Sequence, residues 1–157
     1  MLESLSIKNF VIVDQLELNF ESGFTSLTGE TGAGKSILIG ALSLALGSRS
    51  EVGIVRNDCD RSEISATFNI LNNHDAAKWL NDNDMESDGD LLLRRVIFLD
   101  GRSKAYINGS SATINQLREL GELLVDIYSQ NSHHSLLKAS TQRDILDDFS
   151  HLKNNTD

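Results

Sequence analysis

Apolar residues recur along this chain with two different periods, and each change of period marks an expected element. Leu5 and Ile7 alternate with Ser4, Ser6 and Lys8, and Leu16, Leu18 and Phe20 alternate with Glu17 and Asn19. A period of two belongs to a strand with one buried face, so both segments are expected as strands. Phe24–Leu27 is expected as a short third strand ending just before Gly29. From Ser36 to Leu46 the chain is apolar nearly all round, which predicts a buried helix, and Gly47 is its expected stop. The period then returns to two: Ile64, Ala66, Phe68 and Ile70 alternate with Glu63, Ser65, Thr67 and Asn69. His74–Leu80 reads as a short helix. Leu91–Phe98 and Lys104–Ile107 read as strands joined across Asp100-Gly101, a dipeptide suited to the left-handed positions of a tight turn. Asn108-Gly109 marks the next turn. Thr113-Ile114-Asn115-Gln116 has the form of a capping box, and Ile114, Leu117, Leu120 and Leu124 follow at helical spacing. Leu123–Tyr128 reads alternatively as a short buried strand, which leaves the end of that helix open. Thr141–Phe149 is a final expected helix.

Composition narrows the class. The 157 residues are 39% hydrophobic and 24% charged, enough for a single domain with a real core and no need of staples. A single cysteine, Cys59, excludes an internal disulfide framework and a cysteine zinc cluster. His133 and His134 are adjacent and diverge, and His74 and His151 lack partners at metal-ligand spacing. The net charge of −9 argues against a freestanding, sequence-blind nucleic-acid binder. More than half of that charge lies between Asp75 and Asp90, where six carboxylates face Lys78 alone. Asn81–Asp90 lacks apolar periodicity and is expected as a solvated loop. Asp82, Asp84 and Glu86 resemble the start of a calcium loop, but Ser87 and Leu93 stand where its glycine and final Glu belong. The N-terminus lacks the basic region of a secretory signal, and the longest apolar stretch, Ile37–Leu46, is too short to span a bilayer. A cytoplasmic location is expected, with no membrane partner. Arg94, Arg95, Arg102 and Lys104 cluster on one expected hairpin, either as a solvated face or as a DNA-facing patch.

The chemistry concentrates in Gly29-Glu30-Thr31-Gly32-Ala33-Gly34-Lys35-Ser36, which satisfies every fixed position of a phosphate-binding P-loop. The glycines let successive N–H groups curl inward onto phosphate oxygens, and the helix that follows adds the positive end of its dipole. Lys35 is expected to reach the β- and γ-phosphates of ATP, and Ser36 to ligate Mg²⁺. Glu30 is expected to point out of the loop, because an inward carboxylate would repel phosphate. No Asp stands three residues before any glycine after Lys35, and Asn-Lys does not occur, so the GTPase motifs are missing. Two alternating strands before the loop and an antiparallel set after its helix suggest an α/β fold, a P-loop NTPase of the ABC type whose N-terminal lobe carries an antiparallel β layer.

At this point the residues resemble a specific family. Ile7-Lys8-Asn9-Phe10, the loop at 29–36, Gly47-Ser48-Arg49 and Val55-Arg56 look like the N-terminal head segment of the RecN family of bacterial DNA repair proteins. That family belongs to the structural-maintenance-of-chromosomes (SMC) group of ABC-type ATPases. Ser103–Gly109, Gln116–Leu124 and Asp126-Ile127…Gln130…His133…Ser135-Leu136-Leu137 continue the resemblance in order. It implies an incomplete ATPase-head lobe over residues 1–150, with a Q-loop region near 126–137, and a tail at 151–157 where a coiled-coil arm begins. By the same resemblance Gln130 is the Q-loop glutamine, reaching Mg²⁺ or the attacking water. Tyr128, Ser129, Asn131, Ser132 and His134 depart from the residues usual there. Arg56 resembles the arginine that SMC heads use near DNA or nucleotide, and Lys8 and Asn9 match positions close to the base and phosphates.

Hydrolysis in this family needs an apolar strand ending in Asp-Glu and a Ser-Gly-Gly signature segment. These 157 residues contain neither. The expectation is therefore the ATP-binding lobe of a RecN-like protein of double-strand break repair and recombination. Alone, it should bind ATP·Mg²⁺ weakly or not at all and not turn it over. The implied partners are a C-terminal ATPase lobe, a second head in a homodimer, and DNA through the full assembly, at the nucleoid. A non-catalytic nucleotide-binding interaction module completed by a separate chain is the alternative, and a small P-loop kinase a lesser one.

Overall fold

In a computed structural model, residues 1–28, 34–51, 53–85, 87–125 and 127 are described, and Met1–Val125 form one unit. Its frame is a six-stranded antiparallel sheet in the order β2-β1-β3-β4-β5-β6. The strands are β1 Leu2–Phe10, β2 Val13–Asn19, β3 Arg61–Asn69, β4 Asp90–Phe98, β5 Ser103–Ile107 and β6 Ser110–Ala112. The period-two residues explain it. Leu5, Ile7, Ile64, Ala66, Phe68, Leu91, Leu93, Ile97, Ala105 and Ile107 are buried. The register sets Leu5 opposite Ala66, Ile7 opposite Ile64 and Leu93 opposite Ile107, so one face is continuously apolar. Helix α1, Lys35–Ala45, packs against β1, β3 and β4, and α3, Ile114–Leu124, packs against β5. Helix α2, His74–Asp82, packs against α3.

The local chemistry follows the sequence closely. Asn108 and Gly109 both take positive φ (48° and 83°), the requirement of a two-residue type I′ hairpin between β5 and β6. Between β4 and β5 only Gly101 is left-handed, at φ 84°, while Asp100 is not. The Gly101 N–H donates to Phe98 and the Phe98 N–H to Arg102, so this turn places one residue, not two, in the left-handed region. The capping box is complete: Thr113 Oγ1 accepts from the Gln116 N–H at 3.1 Å, and Gln116 Oε1 accepts from the Thr113 N–H at 2.9 Å.

Several expectations are corrected. Phe24–Leu27 is not a strand; Phe24 is 96% exposed and Leu27 50%. The Phe20 N–H still bonds Glu3, after which the chain leaves the sheet, and no described strand lies alongside to satisfy a further ladder. Helix α1 is not buried all round. Only Ala41, Leu44 and Ala45 are buried, while Ile39 is 50% exposed, because the sheet covers one side only. The segment at Leu123 is helical through Leu124, with Val125 extended behind it. Helix α2 also runs two residues past Leu80, so the acidic loop is shorter than Asn81–Asp90. The expected helix Thr141–Phe149 lies outside the described residues.

The end of α1 meets α3 at close range. Gly47, at φ 88°, donates its N–H to Leu44, and Ser48 donates to Ser43, the paired bonds of a Schellman stop. A Cβ on Gly47 would stand 2.5 Å from the Arg118 backbone N and 2.9 Å from the Ile114 carbonyl. Gly53 is a natural control, with similar φ (86°) and nothing within 4 Å. Gly47→Ala should therefore cost roughly 2–5 kcal/mol, from strain and overpacking together, and Gly53→Ala only about 1–2 kcal/mol from strain. Thr113→Ala should cost about 1 kcal/mol through the lost cap. Urea unfolding of the three variants checks these values; equal losses for the two glycine variants would remove the contact from the account.

Candidate functional site

The described part of the P-loop is its exit. Gly34 is the N-cap of α1 at φ 92°, a conformation natural to glycine, and it has no side chain with which to cap the helix. The Leu38 N–H closes the first turn onto the Gly34 carbonyl at 3.0 Å. Lys35 and Ser36 occupy that first turn, which contains no acidic residue; Lys35 is half-buried and Ser36 exposed. A helix start with a glycine cap, a lysine, a hydroxyl and no carboxylate fits an anion, because its first N–H groups and dipole present positive charge. Gly29, Glu30, Thr31, Gly32 and Ala33 lie outside the described residues, as does Gln130 with most of the Q-loop region.

The other expected site residues are brought together at the β1–β2 hairpin. The Arg56 N–H donates to the Asn9 carbonyl at 3.0 Å, the Val11 N–H to the Ile54 carbonyl at 2.8 Å, and Phe10 bridges Val55. Phe10 and Val55 are buried, so an apolar contact anchors this union of the hairpin with the segment after α1. Asn9 and Val11 sit at φ 51° and 52°. The Arg56 Nη1 lies 2.9 Å from Asp14 Oδ1 on β2. Lys8 is exposed on the opposite face from the core, paired across the sheet with Gln15 and Glu63. Its carbonyl accepts from the buried Ser62 Oγ at 3.1 Å. A cavity of about 300 Å³ lies between Phe10, Ile54, Arg49 and the α1 residues Gly40, Ser43 and Leu44. It flanks the second half of α1, not the helix start at Lys35 and Ser36.

The basic cluster divides. Arg94 and Arg95 are strand neighbours and so face opposite ways. Arg94 pairs with Glu63 at 2.9 Å and stacks 4.3 Å above the Tyr106 ring, and Lys104 lies 5.9 Å from the Phe98 ring. Arg102 folds onto Asp100 at 2.6 Å, and hydrogen bonds from Arg102 hold the Asp100 carboxyl below its usual range. Arg95 is 2% exposed on the core face. Its Nη1 donates to the Leu44 carbonyl at 3.1 Å and to the Ser48 carbonyl, and its Nη2 lies 3.4 Å from Ser103 Oγ. Burial, then the charge of Arg118, lowers its pKa from the ordinary arginine value. Four basic residues therefore do not make one open patch.

Sequence reasoning does not find Asp14 beside Arg56, Ser62 bonded to the Lys8 carbonyl or Arg95 at the end of α1. The inward phase of β3 extends back from Ile64 to Ser62, and that of β4 passes from Leu93 through Arg95 to Ile97; a polar residue in an apolar phase was the available signal. Among the described residues, no group of three or more His, Cys, Asp and Glu could hold a metal.

Residues 4–155 match the AAA domain family. The chain is 48% identical over 149 residues to DNA repair protein RecN of Vibrio cholerae, covering 95% of this chain and 27% of that protein. It is 42% identical over 152 residues to DNA repair protein RecN of Haemophilus influenzae, with the same coverage. The chain thus spans about a quarter of the length of these curated relatives. Among solved structures, an SMC ATPase studied for ATP-driven dimerization and DNA-stimulated activation superposes with a TM-score of 0.66 at 22% identity, covering 94% of this chain and 98% of that one. The recombination mediator RecF with ATP superposes with a TM-score of 0.60 at 19% identity, covering 93% and 36%. The chain belongs to the AAA domain family, corresponds to the N-terminal segment of RecN, and has the fold of an SMC-type ATPase-head lobe.

Proposed function

We propose that this chain is the ATP-binding lobe of a RecN-like protein acting in DNA double-strand break repair and recombination. The observation that carries the reading is Gly34-Lys35-Ser36 at the uncapped, acid-free start of α1, inside a sequence whose relatives are named for DNA repair. The helix start and the glycine loop before it would hold the phosphates of ATP. Lys35 would neutralise the β- and γ-phosphates as a mobile point charge, and Ser36 would ligate Mg²⁺. When bound, the nucleotide supplies a high-energy phosphoanhydride and the ion neutralises its charge. Asn9, Lys8 and Arg56 would border the nucleotide from the β1–β2 side, and Gln130 would read the γ-phosphate and share the ion.

These residues bind and orient, but none of them activates water. No Asp-Glu pair or Ser-Gly-Gly segment occurs in the 157 residues, so that work falls to a C-terminal lobe and to the opposing head of a homodimer. DNA engagement likewise belongs to the assembled protein, in the cytoplasm at the nucleoid. Among the described residues no helix is long and apolar enough to cross a membrane.

The test is titration of the chain with a fluorescent ATP analogue and Mg²⁺, beside a phosphate-release assay. Weak binding without turnover is expected, and Lys35→Ala should weaken binding by roughly 1.5–3 kcal/mol through loss of a charge-assisted contact. Binding indifferent to Lys35→Ala would remove the phosphate site. Steady phosphate release abolished by that substitution would show the chain to be hydrolytically complete.

A further inference from the structure

The phosphate-binding helix is held from its far end. In α1 the buried residues are Ala41, Leu44 and Ala45, all in its second half, followed by buried Leu46 and Gly47. The first half, from Lys35 to Gly40, is half-buried or exposed. About 15 Å of helix separates Lys35 from Ala45 at 1.5 Å per residue. Such a helix is a lever: a small tilt at the anchored end becomes a larger displacement at the end that meets the phosphates.

Arg95 grips the anchored end. It projects from the centre of the sheet between Leu93 and Ile97. One terminal nitrogen reaches the carbonyls of Leu44 in the last turn and of Ser48 beyond the Schellman stop, and the other faces Ser103 Oγ on β5. A cation at the negative end of the helix dipole is favourable there. As core filler, however, this side chain is a poor choice. It is buried, Arg118 opposes its charge, and its Nε finds no hydrogen-bond partner among the described residues. A buried unpaired donor costs free energy, and an apolar residue of similar volume often serves stability as well. What an apolar residue cannot do is fix two carbonyls, on either side of a helix end, relative to β4 and β5.

We infer that Arg95 is a positioning residue: by clamping Leu44 and Ser48 to the sheet it sets where the N-terminus of α1, with Lys35 and Ser36, meets the phosphates. The inference rests on the proposed phosphate site for its consequence, but not for its geometry. It concerns a residue that touches no nucleotide and acts only through the helix.

Arg95→Lys and Arg95→Met, made in this chain, test it through amide hydrogen exchange without nucleotide and through affinity for a fluorescent ATP analogue with Mg²⁺. Lysine keeps the charge but loses the planar fork, so the effects should be graded. Exchange within α1 should quicken in Arg95→Lys and more in Arg95→Met, while β3 amides keep their wild-type rates. Affinity should fall by about threefold and about tenfold respectively, the scale on which small misplacements act. A merely structural role would instead quicken exchange in β3 along with α1 and leave the affinity of the folded fraction unchanged; that pattern overturns the inference. So does wild-type exchange and affinity in both variants. If Arg95→Met does not fold, Arg95→Lys decides alone, an intermediate phenotype supporting the clamp and a wild-type one overturning it. If wild-type binding proves insensitive to Lys35→Ala, the phosphate-site reading fails while the exchange pattern still judges Arg95.

Discussion

Backbone meets backbone where α1 ends. A Cβ on Gly47 would fall within 3 Å of Arg118 and Ile114, and one on Gly121 would stand 2.8 Å from the Leu46 carbonyl. Two glycines, one on each element, let α1 and α3 approach closer than any pair of side chains allows. The left-handed turn at Gly47 then directs the chain away from α3 and returns it to β1, where Val55 bridges Phe10. The end of α1 and the return of the chain to the place where Asn9 meets Arg56 thus both pass through this close contact.

The sheet supplies the other half of the frame by keeping its two faces chemically distinct. On the core face, aliphatic residues continue from strand to strand. On the other, Ser4, Ser6, Ser65 and Thr67 occupy the middle, with Lys8, Glu63 and Arg94 around them. Arg94 and Lys104 lie over Tyr106 and Phe98, so long basic side chains shield aromatic surface while their charge stays near water. Arg95 faces the core side, opposite its strand neighbour Arg94, and there its guanidinium holds a helix end instead of meeting solvent.

Much of this was legible in the sequence, for reasons that are local. Period two at Glu63–Ile70, the capping box at Thr113 and Asn108-Gly109 depend on neighbours a few residues away, and they appear as read. Phe24–Leu27 failed because a strand exists only with a partner, and its apolar composition does not say whether one lies alongside. Helix α1 failed in part for a related reason: apolarity all round fixes what can be covered, not what covers it. In the candidate site, the P-loop pattern points to Lys35 and Ser36 because its chemistry is contiguous, and both stand in the first turn of α1. Arg95 and Ser62 act on partners 47 to 54 residues away, beyond any local pattern. Grouping Arg95 with Arg94 ignored the alternation that the strand itself demands.

Magnitudes decide what holds the β1–β2 tip. Val11 is β-branched and left-handed, a backbone state that costs on the order of 1–3 kcal/mol. The Arg56–Asp14 pair is half-exposed on one side and open on the other, and a pair of that kind contributes about 0–1 kcal/mol. It cannot sustain the strain. The two backbone hydrogen bonds to Asn9 and Ile54, together with the buried contact of Phe10 and Val55, are of the required size. The scaffold of the tip is therefore independent of the Arg56 side chain. An anion arriving beside Asn9 would compete with Asp14 for that guanidinium against less than about 1 kcal/mol, and the hairpin would keep its shape while the guanidinium changed partners.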